Sequence, residues 1–172
     1  MSIRLRLALA CTVLLLLASC GTGASSQTSQ ADSAQAGSAT TSPLRATTLD
    51  GSEFDFASIS GRPTVLWFWA PWCTICRAEA PEIARVAAEL RGSVTFIGVP
   101  GRGERAAMRQ FVSAGGVSGL QHVVDDDGRI WSEYGVVGQP AFAFIDGAGK
   151  VEMVNGSLTA DQLQTAARAL AG

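Results

Sequence analysis

The chain has 172 residues, 47% of them hydrophobic and 16% charged, enough for one domain of ordinary size once an apolar N-terminus and a polar tract are set aside. Net charge is -2, and removing Arg4 and Arg6 with the N-terminal segment leaves 11 basic against 15 acidic residues. No basic face is then available to hold phosphates, which excludes nucleic acid as a partner.

Arg4 and Arg6 precede an apolar run from Leu7 to Ala18, too short to span a bilayer and ending in small residues, the form of an export signal. The run closes on Leu17-Ala18-Ser19-Cys20-Gly21, which resembles a bacterial lipobox. That resemblance implies a signal peptide over residues 1–19 and acylation of Cys20 as the first residue of the mature chain. Two or three acyl chains would anchor it stably to the cell membrane on the extracytoplasmic face. An ordinary secretory signal with Cys20 incidental is the alternative. Residues 20–43 are mostly Ser, Ala, Thr, Gln and Gly, a flexible linker with a mean reach of roughly 25 Å. The folded domain is expected over residues 44–172.

Gly61-Arg62-Pro63 punctuates, and Thr64 to Trp69 is a continuous β-branched and aromatic run, expected of a central strand buried on both faces. From Cys76 to Arg91 the apolar Ile83, Val86, Ala87 and Leu90 recur at spacings of three and four, which predicts a helix beginning at Cys73 to Cys76. Val94 to Val99 is the next strand, Glu104 to Ala114 a helix, and Gln121 to Val124 a short strand. Asp125-Asp126-Asp127-Gly128 lacks the alternation and closing Glu of a calcium loop and is read as a solvated turn. Ala141 to Ile145 and Val151 to Val154 form a hairpin about Asp146 to Lys150. Thr159 then opens a final helix, with Gln162 completing a capping box. A βαβ unit followed by a hairpin and a terminal helix predicts an α/β fold, a central mixed sheet flanked by helices.

Beyond Cys11 and Cys20 the chain has only Cys73 and Cys76. A zinc site has no second pair to complete it, so no metal is expected. At a helix start the unpaired amides and positive dipole favour thiolate at the first sulfur. Cys73 is therefore the expected exposed nucleophile, and Cys76, one turn in, the buried resolving thiol. A structural disulfide is the alternative, but closing so small a loop constrains little of the unfolded chain. No cofactor is called for beyond the redox-active Cys73–Cys76 disulfide.

The segment Trp67-Phe68-Trp69-Ala70-Pro71-Trp72-Cys73-Thr74-Ile75-Cys76-Arg77-Ala78-Glu79-Ala80-Pro81 resembles the active-site stretch of extracytoplasmic thioredoxin-like proteins of the TlpA, ResA and DsbE group. Leu49-Asp50-Gly51, Phe56 to Arg62, Asp127-Gly128, Tyr134-Gly135-Val136, Gly138-Gln139-Pro140 and Phe144-Ile145-Asp146 extend the likeness from Arg45 to Leu170. It implies a thioredoxin-like fold and thiol-disulfide exchange. It also implies a cis peptide before Pro140 that presents the backbone of Gln139 to substrate; a Pro merely starting an edge strand is the plainer account. Glu79 matches an acidic residue that exchanges protons with the resolving thiol, although a first-turn Glu is also what a helix dipole favours. Pro81 matches a helix-kinking proline, Trp72 a surface for substrate side chains, and Trp67, Phe68 and Trp69 core.

The departures are informative. Trp67 stands where cytoplasmic thioredoxins keep a buried Asp, which disfavours reductant work. Ala141-Phe142 follows Pro140 where many haem-maturation relatives carry Pro-Glu-Thr or Pro-Ala-Thr, and the look is closer to actinobacterial DsbE- and DsbF-like lipoproteins, regarded as oxidants. Ala70 replaces the Thr that a peroxiredoxin needs, and the two-residue cysteine spacing with only His122 does not suit a copper chaperone. The expected partners are exported cysteine-containing proteins and a membrane redox partner that resets the cysteines. Reduction for cytochrome c maturation and a non-enzymatic lipoprotein adaptor are the competing functions.

Overall fold

The strand that organises the molecule is the one the sequence makes most apolar. In the computed structural model, which describes residues 44–172, β3 (Thr64–Trp69) is buried at every position. Alternation splits its side chains between two cores. Val65, Trp67 and Trp69 face one cluster, while Leu66 and Phe68 face the other. The expected signal peptide, Cys20 and the linker lie outside the described residues.

The chain runs β1 (Arg45–Thr48), β2 (Glu53–Asp55), a 3-10 turn (Phe56–Ile59), β3, α1 (Thr74–Glu89), β4 (Thr95–Pro100), α2 (Arg105–Ala114), β5 (Gln121–Val124), α3 (Arg129–Glu133), β6 (Ala141–Ile145), β7 (Val151–Asn155) and α4 (Ala160–Ala169). One seven-stranded mixed sheet results, in the order β2-β1-β5-β4-β3-β6-β7. The pairings β3·β4 and β4·β5 are parallel, and β6 runs antiparallel to β3 with Phe68 opposite Ala141. Cys76, Ala80, Ile83 and Val86 of α1, Met108 and Phe111 of α2, and Leu163 and Ala167 of α4 cover the first face. Ile130 and Trp131 of α3, with Phe54, Phe56 and Ile59, cover the second. This is the expected α/β architecture, and the Thr159 capping box is closed in both directions. Among the described residues no helix is long and apolar enough to cross a membrane.

Three features depart from the sequence reading. The β1–β2 hairpin and α3, of four, three and five residues, are too short to show a period. The Asp125-Asp126-Asp127 turn is not uniformly solvated: Asp125 is 4% exposed. Its carboxylate accepts the Ile130 and Trp131 N–H groups at 3.1 and 2.9 Å, satisfying orphan amides at the start of α3. Asp126 and Asp127 remain exposed and pair with Arg105 and Arg129.

On the first face Trp67 stacks on Trp69 at 5.7 Å and Trp69 on Phe111 at 4.1 Å. These rings fit because Gly98 of β4 lies between Trp67 of β3 and His122 of β5 in the sheet register. A Cβ there would fall 2.2 Å from His122 Nδ1 and 2.9 Å from Trp69 Nε1. Gly98→Ala is therefore expected to cost about 1–3 kcal/mol by overpacking, read as a lower urea midpoint with an unchanged slope. A midpoint equal to the parent's would mean the aromatic row can open without cost.

Candidate active site

Because β3 is fixed on both faces, the chain leaving it has little freedom. The Cys73 N–H donates to Ala70 C=O at 3.0 Å, closing the Ala70–Cys73 turn, and Arg77 braces it from the next helical turn. The Arg77 guanidinium donates to Pro71 C=O at 2.8 Å and lies 5.0 Å over the Phe111 ring. Cys73 is the N-cap of α1, and its Sγ accepts the Cys76 N–H at 3.0 Å. An N-cap acceptor normally is an oxygen that satisfies an orphan amide; here a sulfur fills that place at the positive end of a sixteen-residue helix. Pro81 lies inside α1, where it cannot donate to the Arg77 carbonyl.

Cys73 and Cys76 are joined as a disulfide. Cys76 is fully buried. Cys73 is only 5% exposed, which corrects the expectation of an open nucleophile. The correction has a local cause: the sulfur is turned into the first helical turn toward the Cys76 amide. The residues beside it are open, with Trp72 60% and Ile75 53% exposed. Two open apolar side chains thus stand beside Cys73 in sequence and form one bank of the site.

The head of β6 supplies the other bank. The Gln139–Pro140 peptide is cis, Pro140 is buried and Gln139 half-buried. Extending the β3·β6 register one step beyond Phe68 and Ala141 sets Pro140 beside Trp69, four residues ahead of Cys73. Trp72, Cys73, Gln139 and Pro140 thus gather at one end of the sheet. Sequence reasoning missed Arg102 there: its C=O accepts the Trp72 indole N–H at 2.7 Å, and its guanidinium reaches Gln139 Oε1 and Val137 C=O at 3.5 and 3.4 Å. The only sequence signal was its place between Gly101 and Gly103.

Glu79 lies elsewhere, on the side of α1 that faces the β7–α4 connection. It is the sixth residue of the helix, and the first turn holds no acid, so dipole stabilisation does not explain it. It follows Cys76 by three residues, which puts the two on one helix face. It lines a cleft of about 330 Å³ with Ile75, Ser157 and Leu158. Both carboxylate oxygens are buried without a hydrogen-bond partner; Ser157 and Leu158 face them and offset only part of the desolvation, which raises the Glu79 pKa above its ordinary value. His122, far from an open site, is buried with Nε2 against Val117 C=O at 3.0 Å, and burial lowers its pKa. No group of three potential metal ligands occurs among the described residues.

The chain matches the AhpC/TSA family over residues 37–154. It is 47% identical over 110 residues to the soluble secreted antigen MPT53 of Mycobacterium tuberculosis strain H37Rv, an alignment that covers 64% of this chain and 62% of the relative. Its fold is similar to that of MTB DsbF, solved in mixed oxidised and reduced forms, with a TM-score of 0.73 and 44% identity, covering 74% of this chain and 95% of that one. A secreted Mycobacterium tuberculosis disulfide oxidoreductase homologous to E. coli DsbE gives a TM-score of 0.70 at 43% identity, covering 74% and 96% of the two chains.

The raised Glu79 pKa makes a signed prediction. The folded state holds this proton more tightly than the unfolded chain, so its contribution is fully present below the ordinary value of 4.5 and is lost as pH rises through the folded value. Glu79→Gln removes that loss. Calorimetry on the oxidised protein should show the variant melting a few degrees above the parent at pH 7.5 and no higher at pH 4. Equal displacements at both pH values would contradict the assignment.

Proposed function

The chain belongs to the AhpC/TSA family, and on that premise we propose that it is an extracytoplasmic thiol-disulfide oxidoreductase that oxidises dithiols of exported proteins through Cys73 and Cys76. The observation that carries the reading is the sulfur N-cap. Cys73 Sγ accepts a helix amide at 3.0 Å, while its partner lies a turn deeper and fully buried, so the two sulfurs differ in stabilisation. Stabilising the reduced form is what makes a disulfide oxidising.

In the proposed cycle a substrate thiolate attacks Cys73 Sγ. The Cys73–Cys76 bond breaks, Cys76 leaves as thiolate, and a mixed disulfide forms. Glu79, on the same helix face and with its pKa raised by burial, supplies a proton to Cys76. A second substrate thiolate then attacks the substrate sulfur of the mixed disulfide and releases Cys73 as a thiolate held by the Cys76 amide. Two electrons have passed from substrate to the cysteine pair, and a membrane redox partner takes them away. Trp72 and the Gln139–Pro140 segment flank the approach and bind the substrate chain. Should the second thiol be absent, Cys76 attacks Cys73 and frees the substrate.

We place the domain outside the cytoplasm, tethered through lipidated Cys20 and the linker. The export signal at Arg4 to Ala18 supports that location, as does likeness to a secreted antigen. Peroxide reduction is disfavoured because Ala70 offers no hydroxyl three residues before Cys73. The reverse reaction, thiol supply for cytochrome c maturation, would use the same residues. It is disfavoured because Trp67 is a buried, stacked ring where a proton-accepting Asp would be needed.

Two measurements test this. Equilibration with glutathione should give a potential above about -200 mV, and a value near the about -270 mV of thioredoxin would overturn the oxidising direction. Oxidation of a reduced model protein should fall at least about 100-fold in Cys73→Ser, and Cys76→Ala carrying 5-thio-2-nitrobenzoate on Cys73 should exchange it for a substrate bearing a single cysteine, giving a mixed disulfide that vanishes on adding dithiothreitol. Unimpaired Cys73→Ser would leave only the adaptor role.

A further inference from the structure

The loop after β4, Gly101-Arg102-Gly103, is wedged beside the disulfide. The Gly101 N–H donates to Trp69 C=O at 3.0 Å, which ties the loop to the last residue before the active-site turn. A Cβ on Gly101 would lie 3.0 Å from the Trp131 ring, and one on Gly103 would lie 2.4 Å from the Pro71 ring. Glycine is thus required at 103, and at 101 a side chain would crowd the indole. Between them Arg102 has φ 55, the left-handed region where glycine is the unstrained choice. The sequence nonetheless places the longest cation there.

The arginine side chain accounts for that choice. Its guanidinium lies 4.7 Å over the Trp131 ring, and that ring is itself fixed: the indole N–H donates to Val99 C=O at 3.1 Å, and its backbone N–H is held by buried Asp125. From this platform the guanidinium spans to Val137 C=O and Gln139 Oε1. The backbone carbonyl of the same residue takes the Trp72 indole N–H. One residue therefore joins the cysteine bank of the groove to the proline bank.

We propose that Arg102 is a positioning residue that sets the spacing between Trp72 and the Val137–Gln139 segment, and so fixes the groove in which a polypeptide substrate lies while its sulfur reaches Cys73. This rests on the reading of Cys73 as the site of exchange with polypeptides. A small dithiol needs no groove. Arg's planar fork can span two acceptors while stacked on indole, whereas Lys offers one point charge.

The test uses Arg102→Gly, which keeps the left-handed backbone unstrained and the Trp72 hydrogen bond available, together with Arg102→Lys. With a reduced, unfolded polypeptide as substrate and glutathione disulfide as the terminal oxidant, Arg102→Gly is expected to raise KM about tenfold with kcat within about twofold, the scale of one lost charge-assisted contact. Arg102→Lys should fall between it and the parent. Oxidation of dithiothreitol and the redox potential should match the parent in both. An unchanged polypeptide KM, or an equal slowing toward dithiothreitol, would overturn the positioning role. A parent chain that oxidises neither substrate would instead remove the exchange reading, and this proposal with it.

Discussion

The structure depends on one constraint: a strand buried on both faces must hand the chain to a helix at its C-terminal end. β3 has no exposed position, so the place where Trp69 ends is fixed by both cores at once. The turn that follows is closed by backbone and by Arg77. The first helix amides then point at whatever side chain caps them, and that side chain is a cysteine. Reactivity at this site is a property of strand burial and helix termination before it is a property of sulfur.

Burial also explains why two cysteines three residues apart are not equivalent. Cys76 belongs to the apolar face that packs α1 onto the sheet, in register with Ala80, Ile83 and Val86. A thiolate there is costly unless a proton is near, and Glu79 on the same face is a carboxyl whose pKa burial raises. Cys73 sits at the helix end, where a negative charge meets amides. The small exposure of Cys73 goes with this position: the turn that offers the sulfur an amide also covers it.

Much of this was legible in the residues, for physical reasons. The unbroken apolar run Thr64 to Trp69 could bury both faces only in a central strand, and the three-and-four spacing of Ile83, Val86 and Leu90 set the buried side of α1. What escaped was either too short to be periodic or encoded by tertiary context. α3 has five residues and exists because Asp125 supplies its missing amide acceptors, a role that a run of three aspartates conceals. Glu79 lies a turn deeper than a dipole-favoured acid, and its burial comes from Ser157 and Leu158, nearly eighty residues away in sequence. Arg102 has no propensity signal at all; only the two glycines around it register how closely Trp131 and Pro71 approach.

These unannounced elements converge on the same end of the sheet. Asp125 fixes α3, α3 fixes Trp131, and Trp131 carries the guanidinium that meets the Val137–Gln139 segment. On the opposite side Phe111 holds both the Trp69 stack and the Arg77 brace. The two cores therefore meet the site from different sides: the α1 side carries Cys76 and the Arg77 brace, and the α3 side carries Trp131, on which the Arg102 guanidinium lies. Trp131 packs on one face of β3 and Cys76 on the other, so under the positioning role proposed for Arg102 a substitution on the α3 side changes what fits beside Cys73 without changing how readily the cysteine pair gives up its electrons.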